Sequence, residues 1–360
     1  MANNLNKRLK KKVLLLVNGL GLGNSTRCFQ ILKKLKKENY KVKIVTSGNG
    51  INFFKKNSKI VKIKQVNYEK KNNKLSVLKL LINLPKIIKV IILNSKIINN
   101  EIKIFNPNII ISDSVYFFPN KDFYTKITIA LNNSEMIIKR IFSQQIKLSI
   151  ILQFIFIEIP DYLISKYMYD YIYSPSLTND YSNNEKKSKI KRLPILSRYE
   201  NIKLNNNKKK NILIMLSGSS FKTKISLRRE YQKKFDFILL NYSKKFNNKF
   251  KNIKYIKKKF NNKNELNSAK IAIINGGYSA VADCINFCIP MIIMPINNHY
   301  EQWVNANIVK RNGYGIISKG NFENEIEEIN NNYNYYKKKL ILNKKRIKKF
   351  YFSKKKFFNF

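Results

Sequence analysis

Residues 271–315 read IAIINGGYSAVADCINFCIPMIIMPINNHYEQWVNANIVKRNGYG. An apolar run, IAII, meets Gly276-Gly277. A short amphipathic stretch follows, then a second apolar run, MIIMP, and a polar loop with Glu301-Gln302. The order is strand, turn, helix, strand, with a glycine turn where a parallel sheet opens toward a ligand. The fold expectation spreads outward from this unit. In the first half, apolar runs at 13–17, 42–45, 60–63, 109–111 and 127–130 alternate with amphipathic stretches. The first of these stretches carries Cys28, Leu32 and Leu35 on one helical face. The alternation restarts at 211–216, 237–240, 253–256, 271–274 and 291–295. Strands alternating with crossover helices predict parallel sheets, so the chain reads as α/β with two Rossmann-like domains facing each other across a cleft.

At 360 residues the chain is long for one compact domain and comfortable for two. Residues 186–210 are rich in Lys and Asn around Pro194 and read as a linker. This divides the chain into an N-terminal domain at 1–185, a C-terminal domain at 211–332 and a basic helical tail at 333–360. The formal charge of +50 is spread along the whole sequence among Asn and Ile. It fits either a compositional bias at tolerant surface positions or attraction to nucleic acid, anionic lipid or a polyanionic glycan, and such diffuse charge does not choose.

Cys28, Cys284 and Cys288 are too few for a disulfide framework, and His299 is the single histidine; no metal-ligand set forms from them. The three cysteines read as small buried residues in a reducing cytoplasm. The start, MANNLNKRLKKK, passes into a strand without a cleavage-like region. No apolar run reaches the ~18 residues of a membrane span. The nearest is LSIILQFIFIEI at 148–159, with Lys139, Arg140 and Lys147 upstream. It reads as a core helix or as a segment resting on an anionic membrane surface.

Three turns carry the chemistry. The first, NGLGLGNSTR at 18–27, follows a strand and opens a helix. Gly21 and Gly23 let the backbone approach a ligand, the helix start favours an anion, and Asn24 with its neighbours adds donors. Dinucleotide sites look similar, but the second strand ends in Thr46-Ser47-Gly48 and lacks the acidic residue they use. The second turn, Ser217-Gly218-Ser219, suits a diphosphate. The third is Asn275-Gly276-Gly277 with Ser279. Asp283 is expected in the first turn of the helix that follows, where it either accepts ribose hydroxyls or compensates the helix dipole.

Gly276-Gly277, Asp283, Pro290, Pro295, Glu301-Gln302 and Asn305-Ala306 resemble the donor-site signature of GT-B glycosyltransferases. The nearest likeness is to the glycosyltransferase 28 group, which includes the peptidoglycan GlcNAc-transferase. The 18–27 turn resembles that group's N-terminal loop. The resemblance implies that Ser217, Gly218, Ser219, Asn275, Gly276, Gly277 and Ser279 surround the donor diphosphate and that Asp283 binds the ribose. It also implies that Glu301 and Gln302 bind sugar hydroxyls and that residues 255–260 border the base. It further implies metal-independent, inverting transfer from a UDP-sugar such as UDP-GlcNAc, without a cofactor. The acceptor would be a glycan or lipid-linked molecule of cell-envelope polysaccharide synthesis at the inner face of the membrane.

Two departures stand out. The group usually has His where this chain has Asn24, and many relatives have His where it has Asn275. An amide is no base at neutral pH, so another group must take the acceptor's proton. Asp113, in the ISDS run, is the first candidate and Glu135 the second. Three rival readings stay open: a UDP-sugar hydrolase of nonulosonic acid synthesis, a nonhydrolysing epimerase, and a basic nucleic-acid-binding protein. The last explains the charge but lacks any RNA-binding or zinc-finger pattern.

Overall fold

A computed structural model describes residues 11–66, 70–71, 74–75, 81–134, 138, 151, 154–178, 188–199, 202, 211–216, 234–240, 252–256, 261–297 and 299–353. The described residues form two compact units. One comprises Met1–Asn67, Leu84–Asn132 and Ile164–Tyr173; the other comprises Tyr68–Asn83, Asn133–Leu163 and Ser174–Phe360.

The first sheet is built from β1 (Lys12–Val17), β2 (Lys41–Thr46), β3 (Lys59–Lys62), β6 (Ile109–Asp113), β7 (Ile127–Leu131), β8 (Tyr171–Pro175) and β9 (Ile190–Leu193). Its order is β3-β2-β1-β6-β7-β8-β9. A separate antiparallel pair, β4 (Lys70–Lys71) and β5 (Lys74–Leu75), stands outside it. Along this order the strands β3, β2, β1, β6, β7 and β8 pair in parallel. Val13, Leu14, Leu15, Leu16 and Val17 are all fully buried, as a continuous apolar strand covered on both faces must be. The helices are α1 (Leu22–Lys37), α2 (Gly48–Phe54), α3 (Leu84–Phe105), α4 (Lys121–Tyr124) and α5 (Ile159–Met168). Cys28, Ile31, Leu32 and Leu35 form the buried stripe of α1, the face expected from its spacing.

The second sheet has the order β12-β11-β10-β13-β14-β15 and is parallel throughout. Its strands are β10 (Asn211–Met215), β11 (Phe237–Leu240), β12 (Ile253–Ile256), β13 (Ala269–Ile274), β14 (Met291–Ile293) and β15 (Gly315–Ile317). The helices α6 (Lys263–Ser268), α7 (Tyr278–Asn286), α8 (Tyr300–Arg311), α9 (Phe322–Asn331) and α10 (Tyr333–Ser353) belong to the same stretch of chain. Phe322, Ile326, Ile329 and Tyr336 close one face of this sheet.

Several elements differ from expectation. Strands β4, β5, β8, β9 and β15 add to the anticipated set; β9 reads IKRL and β15 GII, too charged and too short to register as apolar runs. The first unit ends at Tyr173, ahead of the expected boundary at 185, and the 186–210 stretch contains β9 as well as a segment fastened to α7. Over its described residues, Tyr333–Ser353, the tail is one helix, α10, packed on α7 and α9. Its Lys344 is buried and donates to the carbonyls of Ile202 (2.9 Å) and Asn286 (2.8 Å); Asn286 is the last residue of α7. A cation on the final carbonyls of a helix satisfies orphan acceptors and opposes the negative end of the dipole. Of the 148–159 run, residues 151 and 154–159 are described. Phe154–Glu158 form a π-helical turn, in which Phe154 is buried against Tyr300 (ring centroids 5.2 Å) while Ile155 and Phe156 are exposed.

The turn after β1 is the tightest approach in the first unit. A Cβ on Gly19 would stand 1.7 Å from the Ser47 carbonyl oxygen, whereas one on Gly21 meets nothing nearer than 4.0 Å. Gly19→Ala is therefore expected to cost about 3 kcal/mol through forced backbone displacement, and Gly21→Ala under about 1 kcal/mol. Urea-denaturation midpoints of the two variants check this.

Candidate functional site

In an open parallel sheet, ligands gather where strand order reverses, beyond the carboxyl ends of the strands. In the first sheet that point lies between β1 and β6. The 18–27 turn leaves β1 there, and Asp113 ends β6. Gly21 is the N-cap of α1 and no side chain caps the helix; Gly21 and Gly23 are exposed and Asn24 half-buried. Asn18 Nδ2 donates to the Ser114 carbonyl (3.0 Å), tying the turn to the end of β6.

Asp113 is fully buried and its carboxylate is surrounded by donors from α1. Arg27 Nε donates to Oδ2 (2.9 Å), and its Nη2 makes the second arm of a fork to Oδ1. Asn24 Nδ2 donates to Oδ1 (3.1 Å) and Cys28 Sγ to Oδ2 (3.2 Å). Two expected site residues, Asn24 and Asp113, are thus brought together. Burial, with Asp113 beside it, pushes the Cys28 thiol well above its ordinary range. All three cysteines are free and buried, in line with their reading as small core residues.

In the second sheet the reversal lies between β10 and β13. Asn275-Gly276-Gly277 leaves β13, and Gly277 is the N-cap of α7, with no side-chain cap. Gly276 has φ +83°, and a Cβ there would stand 2.9 Å from Ile293 Cγ2 and 3.1 Å from the Gln302 carbonyl oxygen. Conformation and space both demand glycine. Polar side chains fasten the surrounding loop. Asn305 Nδ2 donates to the Gly276 carbonyl (2.9 Å), Asn275 Nδ2 to the Met294 carbonyl (3.1 Å), and the Ile296 N–H to Gln302 Oε1 (3.0 Å). Ser279 stands half-buried in the first turn of α7.

Asp283 departs from its expected position. The helix starts at Tyr278, so Asp283 falls in its second turn, on the inner face. It is 1% exposed. Ser197 Oγ donates to its Oδ1 (2.7 Å), and Arg198 reaches its Oδ2 through Nε (3.1 Å) and Nη2 (3.0 Å). Burial pushes its carboxyl upward, while Arg198 and then Ser197 pull it back. The Tyr278 hydroxyl accepts from the Leu196 N–H (3.0 Å), and Tyr199 packs on Phe287 (5.3 Å). Residues 195–199 therefore clamp the length of α7, and Asp283 anchors the clamp.

A group of carboxyls that sequence reasoning missed surrounds Ser134 in the second unit. The Ser134 hydroxyl is shared between Glu158 Oε2 (3.1 Å) and Asp161 Oδ2 (3.2 Å). Burial first, then Glu301 and Asp161, push the Glu158 carboxyl up to about 8, against a smaller opposing effect of Ser134. Glu301, in the first turn of α8, therefore stands among carboxyls. Burial lowers the neighbouring His299, with Glu301 opposing, and its Nδ1 has no hydrogen-bond partner. The available signal was a lone Glu inside the apolar run FIFIEI. Ser217, Gly218, Ser219 and Glu135 lie outside the described residues, as do 257–260; Tyr255 is in β12. Among the described residues no three His, Cys, Asp or Glu gather as a metal site.

The profile described as "Glycosyl transferase family 1" matches residues 11–331. No curated protein sequence matches the chain. Similar solved structures include the glycotransferase of kitacinnamycin, with a TM-score of 0.62 and 9% identity over 94% of this chain and 95% of that one. The glycosyltransferase SnogD from Streptomyces nogalater has a TM-score of 0.62 and 10% identity over 94% and 95%. SsfS6, a glycosyltransferase of Streptomyces sp. SF2575 complexed with thymidine diphosphate, has 0.61 and 10% over 94% and 96%. At these identities the likeness is one of fold, and it matches the expected two-sheet α/β architecture.

Two outcomes follow from this geometry. Arg27→Met strands a buried carboxylate, so it should lower unfolding free energy by about 3–5 kcal/mol, read from denaturant titration. Glu158 binds its proton more tightly folded than unfolded, so its contribution to stability is lost as pH rises from 4.5 to about 8. Glu158→Gln should therefore melt close to the parent at pH 4 and increasingly above it toward pH 8, by thermal denaturation across that range.

Proposed function

We propose a function from one premise: this chain belongs to glycosyl transferase family 1 and is a glycosyltransferase of the GT-B fold. It moves a hexose, GlcNAc or a close relative, from a UDP-sugar to a glycan or lipid-linked acceptor of envelope polysaccharide synthesis, with inversion and without a metal. The observation that carries the donor assignment is the turn after β13. There Gly276 excludes any side chain and an uncapped helix start, Gly277-Tyr278, ends the strand at the sheet's reversal point. Such a terminus stabilises a diphosphate as it departs. SsfS6, whose fold this chain shares, was solved with thymidine diphosphate, a ligand of the same chemical class. The likeness to the glycosyltransferase 28 group rests on the motif at 276–306 and supplies the choice of UDP-GlcNAc.

In this reading Ser217, Gly218, Ser219, Gly276, Gly277 and Ser279 cradle the diphosphate, and Glu301 meets sugar hydroxyls. Gln302 does so through its amide nitrogen, since its oxygen holds Ile296. Asp283 supports the nucleotide indirectly by holding the 195–199 clamp on α7. Asp113 receives the acceptor's proton, with Glu135 as the second candidate. Arg27 and Asn24 already occupy both oxygens of Asp113, so a proton acceptor there shares its oxygens with these donors. A histidine at position 24 would sit where Asn24 now touches Asp113 (3.1 Å), oriented by that carboxylate.

UDP should raise the melting temperature of the purified chain in a dose-dependent way, and UDP-GlcNAc should release UDP only when an acceptor glycan is present. Asn24→His should raise kcat by about tenfold or more, as a general base contributes. Absence of any UDP-dependent shift sinks the donor assignment. Equal UDP and free-sugar release without acceptor would favour the hydrolase instead.

A further inference from the structure

Two carboxyls of the second unit, Glu158 and Asp161, stand 3.1 and 3.2 Å from the one hydroxyl of Ser134. A serine hydroxyl carries a single hydrogen, so closing both contacts takes a proton on a carboxyl. Burial first, then Glu301 and Asp161, push the Glu158 carboxyl up to about 8, which makes Glu158 the holder of that proton. The group adjoins the donor turn. Glu158 ends the π-helical turn Phe154–Glu158, a form that recurs at functional sites. Phe154 packs on Tyr300 (5.2 Å) at the first residue of α8. Two residues on, the backbone of Gln302 bounds Gly276, and Asn305 donates to the Gly276 carbonyl (2.9 Å). The start of α8 therefore joins the glycine turn to the carboxyl group. His299, the N-cap of α8, gives no side-chain cap, and its buried Nδ1 has no hydrogen-bond partner. A buried nitrogen left open is costly, and a sugar hydroxyl would close it.

We propose that this group selects the sugar of the donor: Glu301 and His299 meet the hydroxyls of an uncharged hexose, sugars that bear a carboxylate are repelled, and Glu158 positions Glu301. The inference rests on the donor reading of the preceding section and deepens it by naming the class of sugar. Glu158 with its proton is neutral, so Glu301 stands beside it without like-charge repulsion. Once Glu158 ionises, its charge adds to those of Asp161 and Glu301, and Glu301 is driven from the hydroxyls that it holds. The groups that face Glu158 are Ser134, Asp161 of α5, and Tyr300 and Glu301 of α8. None of these four carries positive charge, so an anionic sugar meets repulsion there without compensation.

The test is the affinity of the full chain for UDP and for three UDP-sugars, by titration calorimetry between pH 7 and pH 9. UDP has no sugar and should bind nearly alike across the range and in each variant. UDP-GlcNAc should bind about tenfold more weakly at pH 9 than at pH 7, because only about a tenth of the molecules then keep the Glu158 proton. Glu158→Gln has no proton to lose. It should match the parent within about threefold at pH 7 and hold that affinity at pH 9. UDP-glucose and UDP-glucuronate differ only in the carboxylate at C6, and the parent should prefer the first by about tenfold or more. Glu301→Gln should narrow that preference. Equal binding of this pair overturns the inference, as does a pH response that persists in Glu158→Gln; in both cases UDP binding still upholds the donor assignment. Absence of UDP binding overturns both.

Discussion

Much of the first unit hangs on one buried carboxylate. Asp113 closes β6 beside the central strand, and Arg27, Asn24 and Cys28 all reach it from the first turns of α1. A helix start and a strand end are thereby locked together at the one place where the sheet opens. The exchange is costly to break on one side, because either partner left alone is a bare charge in the interior. It also constrains chemistry. The same contacts that make the turn rigid occupy the lone pairs that a proton acceptor needs, so architecture and chemistry call on the same two oxygens.

The second unit solves the corresponding problem with amides and a clamp. Asn275, Gln302 and Asn305 bond to backbone rather than to each other, fixing the loop around Gly276. Residues 195–199 then hold α7 from its first residue, through the Tyr278 hydroxyl, to its end, through Asn286 and Phe287. Neutral donors and acceptors keep the turn in place without filling the helix start with charge, which leaves that start available to an anion.

What the sequence disclosed follows from range. The long apolar strands β1, β2, β6, β10 and β13 could be read because burial on both faces writes a continuous run of Val, Ile and Leu. The glycine turns could be read because close approach admits no Cβ. Partnerships could not. Arg27 and Asp113 are separated by 86 residues, as are Ser197 and Asp283, and nothing local in either segment announces the other. Asp283 looked like a first-turn residue because Ser279-Ala280, after the glycine pair, suggested a later helix start than the observed Tyr278. Strand β9 was hidden because IKRL gains its place from its neighbour in the sheet and not from its own composition. Glu158 was hidden because its unusual proton affinity is made first by burial and then by Glu301, far away in the chain, and Asp161.

The family match ends at residue 331, yet α10, beyond it, supplies the ammonium of Lys344 that closes the last carbonyl of α7, that of Asn286, and holds Ile202. The helix whose start forms the proposed anion site is therefore finished by a residue synthesised near the end of the chain. The carbonyls of Asp283, Cys284 and Ile285 are closed locally by the N–H groups of Phe287, Ile289 and Cys288, so Lys344 adds a contact that ties the end of α7 to another element. A product cut between α9 and α10 would carry the whole motif but lose the ammonium that joins the end of α7 to Ile202.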